Sequence, residues 1–157
     1  MTLGAARATS NKRSVTIFMR GTTMDFPLLS RFQPQLLAVL RIVTGLLYLE
    51  HATMKFFHFP APLMPGPLPP MFVAAGVIEL VAGVVITLGL FTRLAAFIAA
   101  GEMAAAYFII HFPKSVWPTL NMGEVAILFC FFFLYLAAAG AGAWSVDSAR
   151  TRSAPIR

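Results

Sequence analysis

Charge is scarce in this sequence, and that scarcity is the first constraint on its class. Only 11% of the 157 residues are Asp, Glu, Lys or Arg, whereas 59% are hydrophobic. Soluble domains carry about 25% charged residues, because polar groups must cover their surface. Intrinsic disorder is excluded for the opposite reason, since disordered chains are poor in apolar residues. The composition therefore predicts an integral membrane protein.

Cysteine and the common catalytic motifs are also scarce. The single cysteine, Cys130, excludes an internal disulfide, and the absence of a CxxC motif argues against thiol–disulfide exchange. The sequence contains neither a glycine-rich phosphate loop nor a nucleophile elbow. The net charge of +6 does not indicate nucleic acid, because most basic residues lie in two tails, as membrane topology requires.

Four apolar segments are long enough to cross about 30 Å of hydrocarbon as helices. They cover approximately residues 34–57, 70–90, 93–111 and 121–141. The prolines of residues 60–70 predict a stiff, extended connection between the first two, and Gly89 is the expected end of the second helix. We therefore predict an all-α, four-helix membrane bundle over residues 34–141, with basic tails at 1–33 and 142–157.

The distribution of basic residues predicts how this bundle lies in the membrane. Both tails are rich in Lys or Arg, and the tight link between the second and third helices carries Arg93. The other two connections are flanked by single lysines, Lys55 and Lys114. Because Lys and Arg favour the cytoplasmic side, we expect an inner-membrane protein with both termini in the cytoplasm.

Each predicted helix carries one glutamate, and two of the four lie near the middle of the bilayer. These two are Glu79 and Glu102, whereas Glu50 and Glu124 lie nearer the ends of their helices. A carboxylate at the centre of a bilayer costs about 2.5–3.5 kcal/mol, so we expect both central glutamates to face the bundle interior and find partners there.

The first helix offers those partners along one face. At 100° per residue, a single stripe contains Arg41, Tyr48, His51 and Lys55. By depth, Arg41 is expected to reach Glu79 or Glu102, and His51 and Lys55 lie in the outer half, level with His111 and near Glu124. These groups are either ion pairs that fix the helix register or a binding or proton-handling site, and the sequence leaves both interpretations open.

Several ligand chemistries can be compared at this stripe. His51 and His111 are suited to haem iron, but no haem attachment motif is present. A metal bound by Glu124 and the two histidines lacks a dedicated spacing, so no metal site is predicted. A flat apolar ligand such as a quinone fits between aromatic residues, with a His or Lys on its carbonyl oxygen.

Five short motifs, in order over residues 36–150, resemble the DoxX family of small four-helix membrane proteins. They are the early Arg41; His51, Ala52 and Lys55, where Ala52 replaces a family glycine; Gly76 and Glu79 with Gly89, Leu90, Thr92 and Arg93; Asn121, Gly123 and Glu124; and Trp144, Ser145, Val146 and Asp147. Relatives include a subunit type of thiosulfate:quinone oxidoreductase and a membrane partner in oxidative-stress assemblies. The resemblance implies a quinone-linked or redox-associated inner-membrane protein that works with a partner subunit.

The leading hypothesis is thus a membrane subunit that serves electron transfer to the quinone pool. Glu79, Glu102 and His51 are the candidates for proton exchange, and Lys55 and Arg41 for binding an anion or carbonyl. Tyr48 and Glu124 complete the predicted ligand-binding set. Two alternatives are a non-catalytic scaffold that recruits a soluble partner through its basic tails, and a small transporter, which would be expected to form a homo-oligomer.

Overall fold

The computed structural model describes residues 27–152, so most of the predicted N-terminal tail and the last five residues lie outside the described part. The described chain is helical and without strands, which confirms the all-α class. Its α-helices are α1 (Pro27–Arg31), α2 (Gln33–Phe56), α3 (Pro70–Leu88), α4 (Thr92–Ala106), α5 (Pro118–Asn121), α6 (Glu124–Ala139) and α7 (Val146–Arg152). Helix α4 continues as a π-helical turn, Tyr107–His111, and a 3-10 turn, Phe112–Lys114.

Among the described residues, three helices are long and apolar enough to cross a membrane: Gln33–Phe56, Pro70–Leu88, and Thr92–Lys114 with the two turns included. The fourth predicted span is shorter than expected. Helix α6 is strongly apolar but has 16 residues, or about 24 Å at 1.5 Å per residue. Met122 (φ 60°) and Gly140 (φ 92°) leave helical geometry on either side of it, so the helix cannot reach residues 121 and 141.

Helices α2, α3, α4 and α6 pack as two antiparallel pairs, α2 with α3 and α4 with α6. The tight turn after Leu88 joins the pairs, and Gly89 ends α3 in the left-handed conformation (φ 68°), as predicted. Four buried alanines on α4 allow close helix approach: Ala95, Ala96, Ala99 and Ala100. The core continues on α6 through Phe133, whose ring meets the Tyr48 ring edge-on at 4.9 Å.

One end of the bundle, which we call the closed end, is the start of α2, the turn at 89–91 and the segment from Gly140 into α7. Arg41 holds it together from a fully buried position. Its Nη1 donates to the carbonyl oxygens of Ile86 (2.7 Å) and Thr87 (2.6 Å). Its Nε donates to the carbonyl of Ala141 (2.8 Å) and its Nη2 to that of Trp144 (2.9 Å). Ile86 and Thr87 lie in the last turn of α3, whose carbonyls lack the full set of intrahelical partners, and Ala141 and Trp144 lie in the segment between α6 and α7.

Asp147 fastens the same end from α7. Its carboxylate accepts hydrogen bonds from the backbone N–H groups of Phe91 and Thr92, each at 2.9 Å, and from the Thr92 hydroxyl at 2.8 Å. It thus caps the N-terminus of α4, where unpaired N–H groups favour an anion. Partial burial opposes ionisation, but the bonds from Thr92 and Phe91 and the charge of Arg150 outweigh it and lower the pKa of Asp147.

Replacing Asp147 by alanine is expected to lower the free energy of unfolding by about 1–2 kcal/mol, as for other lost helix caps. The folded pKa is below the unfolded value of about 3.9. The contribution of Asp147 is therefore complete above that value and disappears as pH falls through the folded pKa. Thermal unfolding in detergent at a series of pH values from about 6 to about 2, on either side of that pKa, measures this loss of stability. If the stability of Asp147→Asn falls with decreasing pH as much as that of the unchanged protein, then Asp147 is not the group that causes this fall.

Candidate functional site

A cavity of about 790 Å³ lies between the two helix pairs at the other end of the bundle, which we call the open end. The C-terminal half of α2, the N-terminal half of α3, the end of α4 with its two turns, and the start of α6 form its walls. Most of the lining is apolar, including Phe72, Ile78 and Phe129. Six charged or titratable side chains interrupt that lining: His51, Lys55, Glu79, Glu102, His111 and Lys114.

The buried ion pair of Lys55 and Glu79 forms part of this wall. The Lys55 Nζ lies 2.6 Å from Oε1 and 2.5 Å from Oε2 of Glu79, and the side chains are only 6% and 3% exposed. In surroundings that are otherwise apolar, each of the two groups has the other as its direct partner. The expectation that Glu79 finds a basic partner on the first helix therefore holds, with Lys55 as that partner.

Glu102 lies in the same wall with Tyr48 as its partner. The fully buried Tyr48 donates its hydroxyl proton to Oε2 of Glu102 at 3.0 Å. Its ring lies 5.9 Å from that of Phe129, which also meets the half-buried His51 ring edge-on at 5.9 Å. The predicted stripe on α2 is thus directed inward, and three of its members contact acidic or aromatic groups at the cavity.

Three predicted site residues do not line the cavity. Tyr48 reaches its wall through Glu102 and Phe129, and the other two lie elsewhere. Arg41 meets neither Glu79 nor Glu102, contrary to the expected pairing, because the carbonyls of the closed end take all its hydrogen bonds. Glu124 is exposed in the first turn of α6 and does not line the cavity. The residue before it, Gly123, is bonded through its N–H to Oδ1 of Asn121 at 2.7 Å.

The structure adds His111 and Lys114 to the site. His111 was weighed from the sequence only as a metal or haem ligand, and Lys114 only for topology. Both lie beyond the regular part of α4, in the π-helical and 3-10 turns, and both line the cavity. The breakers Pro113 and Pro118 indicate that the helix ends near these residues, but no residue marks the π-helical turn that brings His111 to the cavity.

The arrangement is suited to proton exchange and to binding oxygen atoms. Lys55 offers N–H donors beside Glu79, and Tyr48, Glu102 and His51 supply groups that donate or accept protons. Within residues 27–152, no three His, Cys, Asp or Glu side chains gather as a metal site. The wall therefore combines a few polar groups with a large apolar surface, as small-molecule sites do.

Comparison with known proteins finds a family model and a relative that match this chain. The family model described as DoxX matches residues 36–112, which include most of α2 and all of α3 and α4. A protein of Haemophilus influenzae, described as uncharacterized, is 43% identical over 126 residues, which cover 76% of this chain and 94% of the relative. No solved structure matches the chain.

Proposed function

The chain belongs to the DoxX family, and on that premise we propose that it binds a quinone and serves as the quinone-linked membrane component of an oxidoreductase. The single observation that carries the proposal is the open-end cavity, in which a mostly apolar surface surrounds Lys55–Glu79 and Glu102. A quinone, when bound, supplies a carrier for two electrons and two protons.

The size and chemistry of the cavity support this ligand class. Its volume of about 790 Å³ lies within the range of about 300–1,000 Å³ that small-molecule sites occupy. A quinone ring is flat and apolar on both faces, and it bears polar atoms only at its edge. Phe129 and Ile78 suit the faces, and Lys55 suits an oxygen at the edge.

The ion pair supports a defined role for Lys55. The carboxylate of Glu79 keeps a cation in the wall despite the apolar surroundings, and a Lys ammonium has three N–H donors, of which the two contacts to Glu79 leave one for a ligand oxygen. Glu102 and His51 are the groups that we assign to proton exchange. Because these side chains exchange protons and not electrons, we assign the electron supply to a partner oxidoreductase subunit.

The charge distribution supports an orientation for this activity. The closed end carries three exposed arginines, Arg31, Arg93 and Arg150. At the open end of the described chain, Lys114 is the one exposed residue that is Lys or Arg. By the preference of Arg and Lys for the cytoplasmic side, we place the closed end and both termini in the cytoplasm, in the inner membrane. The cavity then opens in the outer half of the bilayer.

We expect gently purified protein in nanodiscs to release a quinone on organic extraction, and extracted protein to bind an added short-chain benzoquinone. A variant with both Lys55→Met and Glu79→Gln removes the two charges together. It should bind that quinone at least tenfold more weakly, about the loss of one hydrogen bond at 1.4 kcal/mol per tenfold. The measurement is an ultraviolet–visible titration.

Glu50→Gln is the matched control, because Glu50 lies exposed on α2 and away from the cavity. Its quinone affinity should stay within about twofold of that of the unchanged protein, well below the tenfold loss expected for the double variant. An empty extract together with no titratable binding would contradict the proposal and favour the scaffold hypothesis. Equal quinone affinities of the double variant and the control would mean that the quinone binds at another surface of the protein and not beside Lys55 and Glu79.

A further inference from the structure

We propose that His111 is a further proton-exchanging residue of the cavity, beside Glu102 and His51, and that it serves one quinone oxygen from the open end, while Lys55 and Glu102 serve the other from inside. The inference rests on the proposed quinone binding and adds to it a para-quinone substrate class and a route for protons. The observation that supports this inference is the position of the His111 imidazole. It is held in the cavity wall at the opposite end, along the bundle axis, from Lys55 and Glu102.

The hydrogen bond of His111 determines which nitrogen can exchange protons. Its Nδ1 lies 2.9 Å from the backbone carbonyl oxygen of Asn121. A carbonyl only accepts, so Nδ1 carries a hydrogen whether the ring is neutral or charged. The Nε2 atom is therefore the one that gains and loses a proton, and the half-buried ring lines the cavity.

The loop that presents this carbonyl is itself held in place. Asn121 is 1% exposed. Its Nδ2 donates to the carbonyl of Ser115 at 2.7 Å, and its Oδ1 accepts from the N–H of Gly123 at 2.7 Å. On the other side, the Tyr107 ring stacks on His111 at 6.5 Å with an interplanar angle of 20°. The imidazole is thus oriented from two sides, as is typical of histidines that transfer protons.

The backbone brings His111 to this wall by an unusual turn. Residues Tyr107–His111 form a π-helix. This geometry is rare in proteins overall, but where it occurs it is often at a functional site. Glu102 and His111 are nine residues apart, or roughly 13 Å along a helix axis, and both line the same cavity. A ring that bears oxygens on opposite edges fits between two such groups.

The other charged and titratable groups around the cavity are distinct in role. Lys114 shares the open end with His111, and the deep wall contributes His51, Lys55, Glu79 and Glu102. Glu79 is occupied by Lys55. At the open end of the described chain, His111 is thus the lining group that is able to act both as a donor and as an acceptor, because Lys114 has only donors when charged.

The proposed step is balanced. When the partner's reduced redox centre delivers electrons, each quinone C=O takes one electron and one proton and becomes C–O–H. The Nε2–H bond of the His111 imidazolium breaks as the O–H bond on the outer oxygen forms. The imidazole then takes a proton from water at the open end. The inner oxygen receives its proton from the carboxylic acid of Glu102, whose O–H bond breaks as the second quinone O–H bond forms. The resulting carboxylate then takes a proton from water that enters at the open end.

His111→Asn tests the step, because the Asn side chain keeps a donor for the Asn121 carbonyl and lacks an Nε2. In nanodiscs loaded with a short-chain para-benzoquinone, reduction by dithionite is followed by stopped-flow absorbance. We expect quinone affinity within about threefold of the unchanged protein and reduction at least tenfold slower, since general acid catalysis contributes about 10²–10⁴-fold. His111→Ala should be equally slow, and added imidazole should restore most of its rate.

His58→Asn is the matched control, because His58 lies exposed on the proline-rich connection and does not line the cavity. Its reduction rate should be unchanged. An unchanged rate in His111→Asn overturns the inference, and so does a slow His111→Ala that imidazole does not restore, since a structural role gives that result. Absence of quinone binding by the unchanged protein overturns the proposed function and this step together, whereas normal binding with a negative His111 result overturns this step alone.

Discussion

Replacing Arg41 by methionine is expected to lower the free energy of unfolding by at least 3 kcal/mol, on the order of the cost of breaking a buried network of charge-assisted hydrogen bonds. The side chain is fully buried and donates to four backbone carbonyls at 2.6–2.9 Å. Methionine fills a similar length with no donor. The carbonyls of Ile86, Thr87, Ala141 and Trp144 would then lose a partner in a place that water reaches poorly. The measurement is SDS or thermal unfolding of the detergent-solubilised protein.

Arg93→Met is the matched control at the same end. Arg93 also donates to backbone carbonyls, those of Ala137 (3.0 Å) and Ala138 (2.5 Å), but it is exposed. Water can replace its bonds, so a loss of about 1 kcal/mol or less is expected. Arg41→Lys should lie between the two, because an ammonium cannot spread donors as widely as a guanidinium. Equal losses of unfolding free energy for Arg41→Met and Arg93→Met would mean that the buried hydrogen bonds of Arg41 do not stabilise the closed end more than the exposed ones of Arg93.

The role of Arg41 shows what a sequence conceals about such a protein. The stripe of Arg41, Tyr48, His51 and Lys55 was predicted from helical periodicity, and the structure does bury its side. The partner of Arg41 was not predictable by the same means. Its acceptors are main-chain carbonyls at helix ends, and every residue type has one, so no side-chain pattern marks them. Reasoning from charge alone directed Arg41 to a glutamate.

Helix ends set a similar limit at Glu124. The apolar run from 121 predicted one continuous span, but Met122 adopts positive φ and Asn121 turns its side chain to Gly123. Helix α6 therefore begins at Glu124, which leaves that carboxylate exposed. Gly89, by contrast, was predicted correctly, since glycine is the usual residue for a left-handed helix end.

His111 was hidden by the assumption of a regular helix. At 100° per residue, the nine residues from Glu102 place His111 on the opposite face. The π-helical turn has more residues per turn than an α-helix, so it rotates His111 back towards the cavity. No residue between 102 and 111 is a proline, and nothing in the sequence marks the change. The acidic half of the site could thus be predicted from periodicity, and the open-end half could not.

Glu79→Gln is expected to lower the free energy of unfolding by about 3–5 kcal/mol, the usual cost of leaving a buried charge without its partner. Lys55 would keep its ammonium group, with a side chain 6% exposed, and lose the carboxylate that lies within 2.6 Å of it. Lys55→Met should have a loss of the same order for the same reason. SDS unfolding in bicelles measures both, and Glu50→Gln should change little because Glu50 is exposed.

The double variant separates stability from function at this pair. With Lys55→Met and Glu79→Gln together, no charge stays buried, and apolar or neutral groups of similar volume are tolerated in place of an ion pair. The double variant should therefore regain most of the stability, with a coupling energy of about 2–3 kcal/mol between the two sites. Additive losses would show that the two charges do not depend on each other. A stable double variant that no longer binds quinone would mean that the pair is kept for its ligand, since its removal leaves the fold intact.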